Sequence, residues 1–139
     1  MKKRLAVALT ILLSGCGPSG APMQPGQWEI VTSGQINGRQ MPGQGPQTTT
    51  RCLRAQGPDP SRMMILSLLE NQSCDIEGIT VANGRIGGAL QCSEFYSISA
   101  SQPPVTGRYS ATEFELTTSR PALGLTITAN ITGRRTGSC

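Results

Sequence analysis

The sequence predicts a mainly β protein of the α+β class: a curved antiparallel sheet or small barrel of about eight strands, with one helix and two disulfides. Three observations predict this fold. Short β-prone segments follow one another from Cys74 to the end of the chain. One apolar segment near the middle has the start signal of a helix. Apart from Cys16 near the start, an even set of four cysteines is spread from Cys52 to Cys139.

The start of the chain has the layout of an export signal. Lys2, Lys3 and Arg4 form a basic stretch, and the uncharged run Leu5–Leu13 follows it. This run is too short for a transmembrane helix, which takes about 20 residues. Residues 1–15 are therefore predicted to be removed on export, and they are excluded from the fold.

The sequence Leu13-Ser14-Gly15-Cys16 resembles a bacterial lipobox, in which small residues permit cleavage before a cysteine that receives lipid. Two or three acyl chains make a stable membrane anchor, whereas one chain binds reversibly. An ordinary signal with a chance cysteine is the alternative, but an Ala-x-Ala-like cleavage site is missing nearby. Gly17, where an aspartate would indicate inner-membrane retention, favours the outer membrane of a Gram-negative bacterium, facing the periplasm.

The mature chain is predicted to contain a tether and one domain. Residues 16–26 are the lipidated cysteine and a flexible tether, because this stretch is rich in glycine and proline and poor in core-forming residues. Residues 27–139 form a single β-rich domain.

The domain begins with two predicted strands. Gln27–Ile36 alternates, with Trp28 and Ile30 on one side, and Asn37-Gly38 then supplies a turn. Gln47–Leu53 is the next β-prone segment.

One helix is predicted to follow. Asp59 is placed as its N-cap and Pro60 as its first residue. The helix has little polar face, so it should be largely covered by the rest of the protein. Its apolar residues are Met63, Met64, Ile65, Leu66, Leu68 and Leu69.

The remainder of the chain is predicted to form antiparallel strands. They are Cys74–Ala82, Arg85–Cys92, Glu94–Ala100, Val105–Ser110, Glu113–Ser119 and Leu123–Arg134. In the last of them Leu125, Ile127, Ala129 and Ile131 alternate with polar residues, which predicts a strand with one buried and one solvent-facing side.

With Cys16 assigned to lipid, the other cysteines are predicted to form two disulfides in an oxidising compartment. They are Cys52, Cys74, Cys92 and Cys139. A zinc site is the alternative, but no C-x-x-C pair occurs and the spacings are wide.

Hairpin geometry argues against a Cys74–Cys92 bond. These cysteines flank a predicted hairpin whose turn is Asn83-Gly84. In a regular register Cys92 falls opposite Asp75, so the two cysteines point to opposite faces. This favours Cys52–Cys74 and Cys92–Cys139, although a bulge near Gly78 or Gly87-Gly88 would undo the argument.

Three stretches together resemble a known family. They are Pro25–Ile30 (PGQWEI), Pro46–Leu53 (PQTTTRCL) and Gly133–Cys139 (GRRTGSC). With a mid-chain cysteine pair, they are similar to the exported bacterial family called domain of unknown function 3617. The resemblance implies an envelope location, two disulfides, a mainly β domain and no established activity.

Family members are often rich in methionine near the first hairpin and in the later strands. Here threonine and glutamine mostly stand in those places, and Met41 remains. A methionine-based metal site is therefore not predicted.

Composition excludes several kinds of chemistry. The chain has no histidine, and its lysines all precede Cys16, so histidine- and lysine-dependent catalysis is excluded. Without the basic start, the net charge falls from +4 to about +1, too little to indicate nucleic-acid binding. We expect no enzyme activity, no cofactor and no metal.

The function that we expect is a non-enzymatic binding or interaction module, anchored to the membrane by its N-terminal lipid, with a protein partner that the sequence does not identify. Trp28 and Met41, the latter in the loop Ile36–Pro46, are its candidate binding surface. The alternatives are a carrier of a small apolar ligand in a barrel interior and an inhibitor of a lytic enzyme. A glycosidase is a weaker alternative, since Glu113 and Glu115 share a strand face about 6.5–7 Å apart.

Overall fold

The structure is a computed structural model that describes residues 20–70, 74–92 and 102–139. Its elements in chain order are β1 Gly26–Ile36, β2 Arg39–Gln40, β3 Gln47–Leu53, α1 Pro60–Leu69, β4 Cys74–Asp75, β5 Ile79–Ala82, β6 Arg85–Gly88, β7 Gln91–Cys92, β8 Val105–Tyr109, β9 Glu113–Ala122 and β10 Leu125–Gly137. The protein is therefore mainly β with one helix, as predicted. The predicted strand Glu94–Ala100, the signal and Cys16 lie outside the described residues.

Eight strands form one antiparallel sheet, and seven of them lie in the order β2-β1-β10-β9-β8-β6-β5. The eighth strand is β3. β3 lies beside β2 on the same edge of β1, where it pairs with the segment 26–32. In the described ranges the sheet stays open between β5 and the β2–β3 edge, so it is not a closed barrel. The short strands β4 and β7 pair with each other as a separate ribbon.

One face of the sheet is buried and the other faces solvent. On β1, Trp28 and Ile30 are buried, whereas Glu29 and Val31 lie on the opposite side, as the alternation predicts. We call the side that carries Trp28 the inner face and the opposite side the outer face. Phe114 of β9 is also on the inner face, with its ring centroid 5.6 Å from that of Trp28.

Helix α1 covers the inner face. The Asp59 carboxylate accepts a hydrogen bond from the Arg62 N–H at 3.0 Å, and Pro60 is the first helical residue, so the predicted helix start is confirmed. Met63 remains 39% exposed. The apolar residues that the helix buries in the common core are Met64, Ile65, Leu66, Leu68 and Leu69.

The core covers only part of the inner face. On β10, Ile131 is 7% exposed, but Ile127 is half-buried and Leu125 is 42% exposed. The helix has 10 residues and a length of about 15 Å, whereas the 13 residues of β10 extend over about 43 Å. The predicted alternation of buried and exposed residues is present in β10 only from Ile131 onward, and the half from Leu125 to Asn130 is at least partly exposed on both sides.

The flexible tether ends earlier than predicted. Met23 is 2% exposed and belongs to the core, and its N–H donates to the buried Ser61 hydroxyl at 3.0 Å. The Gln24 N–H donates to the carbonyl of Ala111 at 2.9 Å. Residues 20–26 thus pack on the domain, because one methionine supplies the apolar side chain that the surrounding glycine and proline lack.

The predicted disulfide pairing is wrong. The bonds are Cys52–Cys139 and Cys74–Cys92. Gly137 and Cys52 face Gln27 from its two sides, so the end of the chain crosses the start of β1 to reach β3. In the ribbon, Cys74 and Cys92 are directly opposite, with Cα atoms 4.1 Å apart.

One additional residue explains the error. The β5–β6 hairpin has the expected register, with its turn at Asn83-Gly84. Between the hairpin and the ribbon, however, the three residues Ile76–Gly78 face the two residues Ala89-Leu90. A turn at Glu77-Gly78 accommodates the additional residue. The register shifts by one, and both cysteines come to the same side.

Candidate functional site

A groove lined by charged side chains lies on the outer face of the sheet, where β1, β10, β9 and β8 run side by side. Its volume is about 500 Å³. We call it the outer-face groove and define it by the side chains of Glu29, Val31, Arg108, Glu113, Glu115, Thr132 and Arg134. The strands position these side chains because every second residue of a strand points to the same face.

The charged side chains form alternating rows across the strands. Glu29, Arg134 and Glu113 are cross-strand neighbours in one row, and the Arg134 guanidinium lies 3.2 Å from the Glu29 carboxylate. In the next row Arg108 pairs with Glu115 at 2.7 Å. Acidic and basic groups thus alternate across the strands of the groove.

The two carboxylates considered for catalysis both lie in this groove. Glu113 and Glu115 point to the outer face and are exposed. A glycosidase acid is held by an apolar, desolvating pocket, whereas Glu115 is 53% exposed and pairs with a guanidinium. The geometry therefore favours ion pairing at this site over acid–base chemistry.

The groove can bind a polar, charged ligand. Exposed ion pairs contribute only about 0–1 kcal/mol, so a ligand group can replace one partner at small cost. The guanidinium groups can form short, charge-assisted hydrogen bonds with acidic groups of a ligand, and the carboxylates can do so with basic groups. Val31 and Thr132 continue the row of Glu115 and Arg108, and they are small enough to admit a polar chain or loop.

Among the described residues, the inner side holds a smaller cavity. A cavity of about 120 Å³ lies beside the Cys74–Cys92 bond, between Leu90 and Ala129. Ligand sites usually enclose about 300–1,000 Å³. The helix and the core fill the part of the inner face that carries Trp28 and Phe114, whereas within the described residues the end that carries Leu125 stays uncovered.

The described residues contain no cluster of three or more histidine, cysteine, aspartate or glutamate side chains that could hold a metal ion. In the same ranges, no helix is long and apolar enough to cross a membrane.

The two residues proposed from sequence as a binding surface differ in position. Trp28 is fully buried, and its indole N–H donates to the carbonyl of Gln24 at 3.2 Å, so its assignment to a binding surface is wrong. Met41 is partly exposed, with its methyl group over Gly34 on the inner face. Neither residue lies in the outer-face groove.

Comparison with known proteins supports the resemblance seen in the sequence. Residues 23–139 match the family model described as "Protein of unknown function (DUF3617)". The chain belongs to the DUF3617 family. No curated protein and no solved structure matches it.

The three stretches that resemble the DUF3617 family meet at one corner of the sheet. Pairing places Gly26 of β1 opposite Leu53 of β3, and Gln27 opposite Gly137 of β10. The Cys52–Cys139 bond joins Pro46–Leu53 to Gly133–Cys139, and Pro25–Ile30 lies between these two stretches in the sheet. The stretches are distant in sequence but adjacent in space.

The residues at this corner have structural roles. Arg135 donates from its side chain to the carbonyl of Pro25 at 3.0 Å and from its backbone to that of Thr112 at 2.8 Å. Gly26 has a φ of 146°, and a Cβ on it would lie 2.8 Å from the Arg135 guanidinium. The DUF3617 stretches therefore hold the ends of the domain together.

Sequence reasoning missed most of the groove of this DUF3617 domain. It identified Glu113 and Glu115 but not Arg108, Arg134 or Glu29. The available signal was charge at outward positions beside apolar inward ones, as in Trp28-Glu29. Only the strand order shows that these charges are neighbours.

Proposed function

We propose that the protein is an exported lipoprotein of the cell envelope whose DUF3617 domain binds a polar protein partner through the outer-face groove, without catalysing a reaction. Lipid on Cys16 anchors it to the outer membrane, facing the periplasm. An inhibitor of a lytic enzyme would be one form of this function.

The proposed location is supported by sequence and structure together. The basic start, the apolar run and the lipobox-like stretch before Cys16 have the layout of a lipoprotein signal. The other four cysteines form two disulfides, and disulfides persist in oxidising compartments such as the periplasm.

The outer-face groove is the observation that carries the binding function. It has several times the volume of the inner cavity, and both arginines in it remain more than half exposed. A surface of paired charges selects a partner with the complementary pattern and repels others. The small volume of the inner cavity favours this function over carriage of an apolar ligand.

The groove is tested by site-specific photo-crosslinking in cells, with the full-length protein. Lysine-directed reagents are unsuitable, because every lysine precedes Cys16. A photoreactive residue replaces Thr132 inside the groove or, as the matched control, the exposed Thr80 of β5 outside it. We expect a discrete protein adduct from position 132 only.

Charge reversal then tests the role of the ion pairs. Arg108→Glu with Arg134→Glu should abolish the adduct at position 132. Arg51→Glu with Arg54→Glu, an equal charge change at exposed residues outside the groove, should leave it unchanged. Equal labelling at positions 80 and 132, or an adduct that survives reversal in the groove, rejects the groove as the binding site.

The anchor is tested separately by intact mass of the exported protein. The mature chain should begin at Cys16 and carry the mass of a diacylglyceryl group with an additional acyl chain. Cys16→Ser should accumulate as the uncleaved, unlipidated precursor. An unmodified cysteine in the mature protein would reject the anchor without affecting the groove.

A further inference from the structure

Three hairpin turns of this protein have the same backbone geometry but not the same residues. Each has two central residues with positive φ: Asn37-Gly38 (50° and 76°), Asn83-Gly84 (53° and 76°) and Leu123-Gly124 (52° and 77°). Positive φ at both positions is the type I′ pattern, for which Asn-Gly is the preferred pair. Leucine is disfavoured there, because its Cβ crowds the backbone.

The fold gains nothing visible from leucine at this turn. Leu123 is 87% exposed, so its side chain does not repay the unfavourable backbone by packing. By contrast, Asn37 in the equivalent position of the β1–β2 turn accepts a hydrogen bond from the Thr126 N–H at 2.9 Å. An unfavourable conformation that the fold does not need is typical of functional positions.

The surface beside this turn combines apolar and basic side chains. Strand pairing places four residues in one cross-strand row on the inner face, in the order Arg39, Ile36, Ile127 and Arg120. The isoleucines are half-buried and the arginines are exposed. We call this row, together with Leu123 and Leu125, the distal patch.

The charge of this end is uniformly positive. No aspartate or glutamate occurs in the segments 34–46 and 118–128, which form this end of the sheet. Exposed leucines flanked by arginines suit an anionic lipid surface, where apolar side chains enter the acyl boundary and guanidinium groups meet phosphates. The β9–β10 hairpin extends beyond the end of β1, so its tip is free to insert.

We propose that the distal patch is a membrane contact that binds anionic phospholipid, separate from the groove and from any lipid on Cys16. Leu123 and Leu125 enter the membrane, and Arg39 and Arg120 pair with lipid phosphates.

The position of the patch makes it a second point of attachment. Gly20 lies against the Asn83-Gly84 turn, at the level of Gly133 along the sheet. Eight residues of β10, about 26 Å of strand, separate that level from Leu125. A chain held at both places lies along the membrane instead of extending away from it.

The test measures partition of the oxidised mature chain, carrying Cys16→Ser so that no lipid is attached, into sucrose-loaded vesicles. Vesicles of phosphatidylglycerol and phosphatidylethanolamine should bind it, and vesicles of phosphatidylcholine alone should bind it much more weakly. Leu123→Asn should lower the partition coefficient at least about tenfold. Arg39→Gln and Arg120→Gln should each lower it about fivefold.

The Leu123→Asn variant also controls for folding. Because asparagine suits the type I′ turn, the urea midpoint of this variant should rise while vesicle binding falls. Arg51→Gln with Arg54→Gln should leave the partition coefficient within about twofold, since these residues lie outside the distal patch.

A photoreactive residue at Leu125 of the full-length protein in cells distinguishes the class of partner. We expect adducts with phospholipid. Absence of binding to the anionic vesicles, unchanged binding of Leu123→Asn, or adducts with protein alone would each overturn the proposal, the last by assigning the patch to a protein partner.

Discussion

Gly133 of β10 lies directly opposite Phe114 of β9, and the phenylalanine ring occupies the space that a side chain at position 133 would need. A Cβ on Gly133 would overlap three atoms of that ring. The same ring packs with Trp28, with the ring centroids 5.6 Å apart. The glycine thus lets the aromatic pair fill the core beside the outer-face groove.

Replacing Gly133 with alanine should destabilise the domain by about 1–3 kcal/mol, because the ring of Phe114 must move in a packed core. Urea unfolding of the oxidised protein measures the change. Gly137→Ala is the matched control, since no heavy atom approaches its Cβ position, and its effect should stay within about 0.5 kcal/mol. In the Gly133→Ala background, Phe114→Leu should lower the free energy of unfolding by less than it does in the wild type. Equal losses in the two backgrounds contradict the contact between position 133 and the ring.

The disulfide pairing can be read from a tryptic digest without reductant. Cleavage after arginine should yield the fragment 52–54 joined to 136–139, and 63–85 joined to 86–108. A fragment 52–54 joined to 63–85 would instead show the Cys52–Cys74 bond and contradict the structure. Mass spectrometry before and after reduction distinguishes the two outcomes.

Removing the packing of the N-terminal segment should weaken the whole domain. Met23→Ala should lower the free energy of unfolding by about 2–5 kcal/mol, because its side chain is in the core. Met63→Ala, at a methionine that is 39% exposed, should cost clearly less. A chain that starts at Pro25 should be destabilised like Met23→Ala; if it unfolds at the wild-type urea concentration, Met23 is not part of the core.

The local elements were predictable because their causes are local. Asp59-Pro60 starts the helix through a cap and a fixed φ, and Asn37-Gly38 and Asn83-Gly84 form turns by their own preference for positive φ. Trp28 and Ile30 share the inner face because side chains alternate along any strand. None of these requires knowledge of the neighbouring strand.

The site was less predictable because it depends on strand order. Glu113 and Glu115 were visible as a pair, but their partners come from β8, β10 and β1. The prediction that Trp28 belongs to a binding surface is wrong because nothing near it in sequence reveals Phe114 or the helix, which cover it in the core. The Leu123-Gly124 turn lacks the usual Asn-Gly signal, so its geometry emerged only from the pairing of β9 with β10.

The sequence by itself determined the fold class, the helix, most of the strands, the even cysteine set and the family. Composition, the spacing of apolar residues and the turn residues act within a few positions of the chain, so the sequence shows their effects directly. Only the tertiary structure decided which cysteines bond, that Met23 belongs to the core, and which charges face one another. Those outcomes depend on register, and one additional residue at Glu77-Gly78 changes the register; the sequence shows only that Gly78 permits such a bulge.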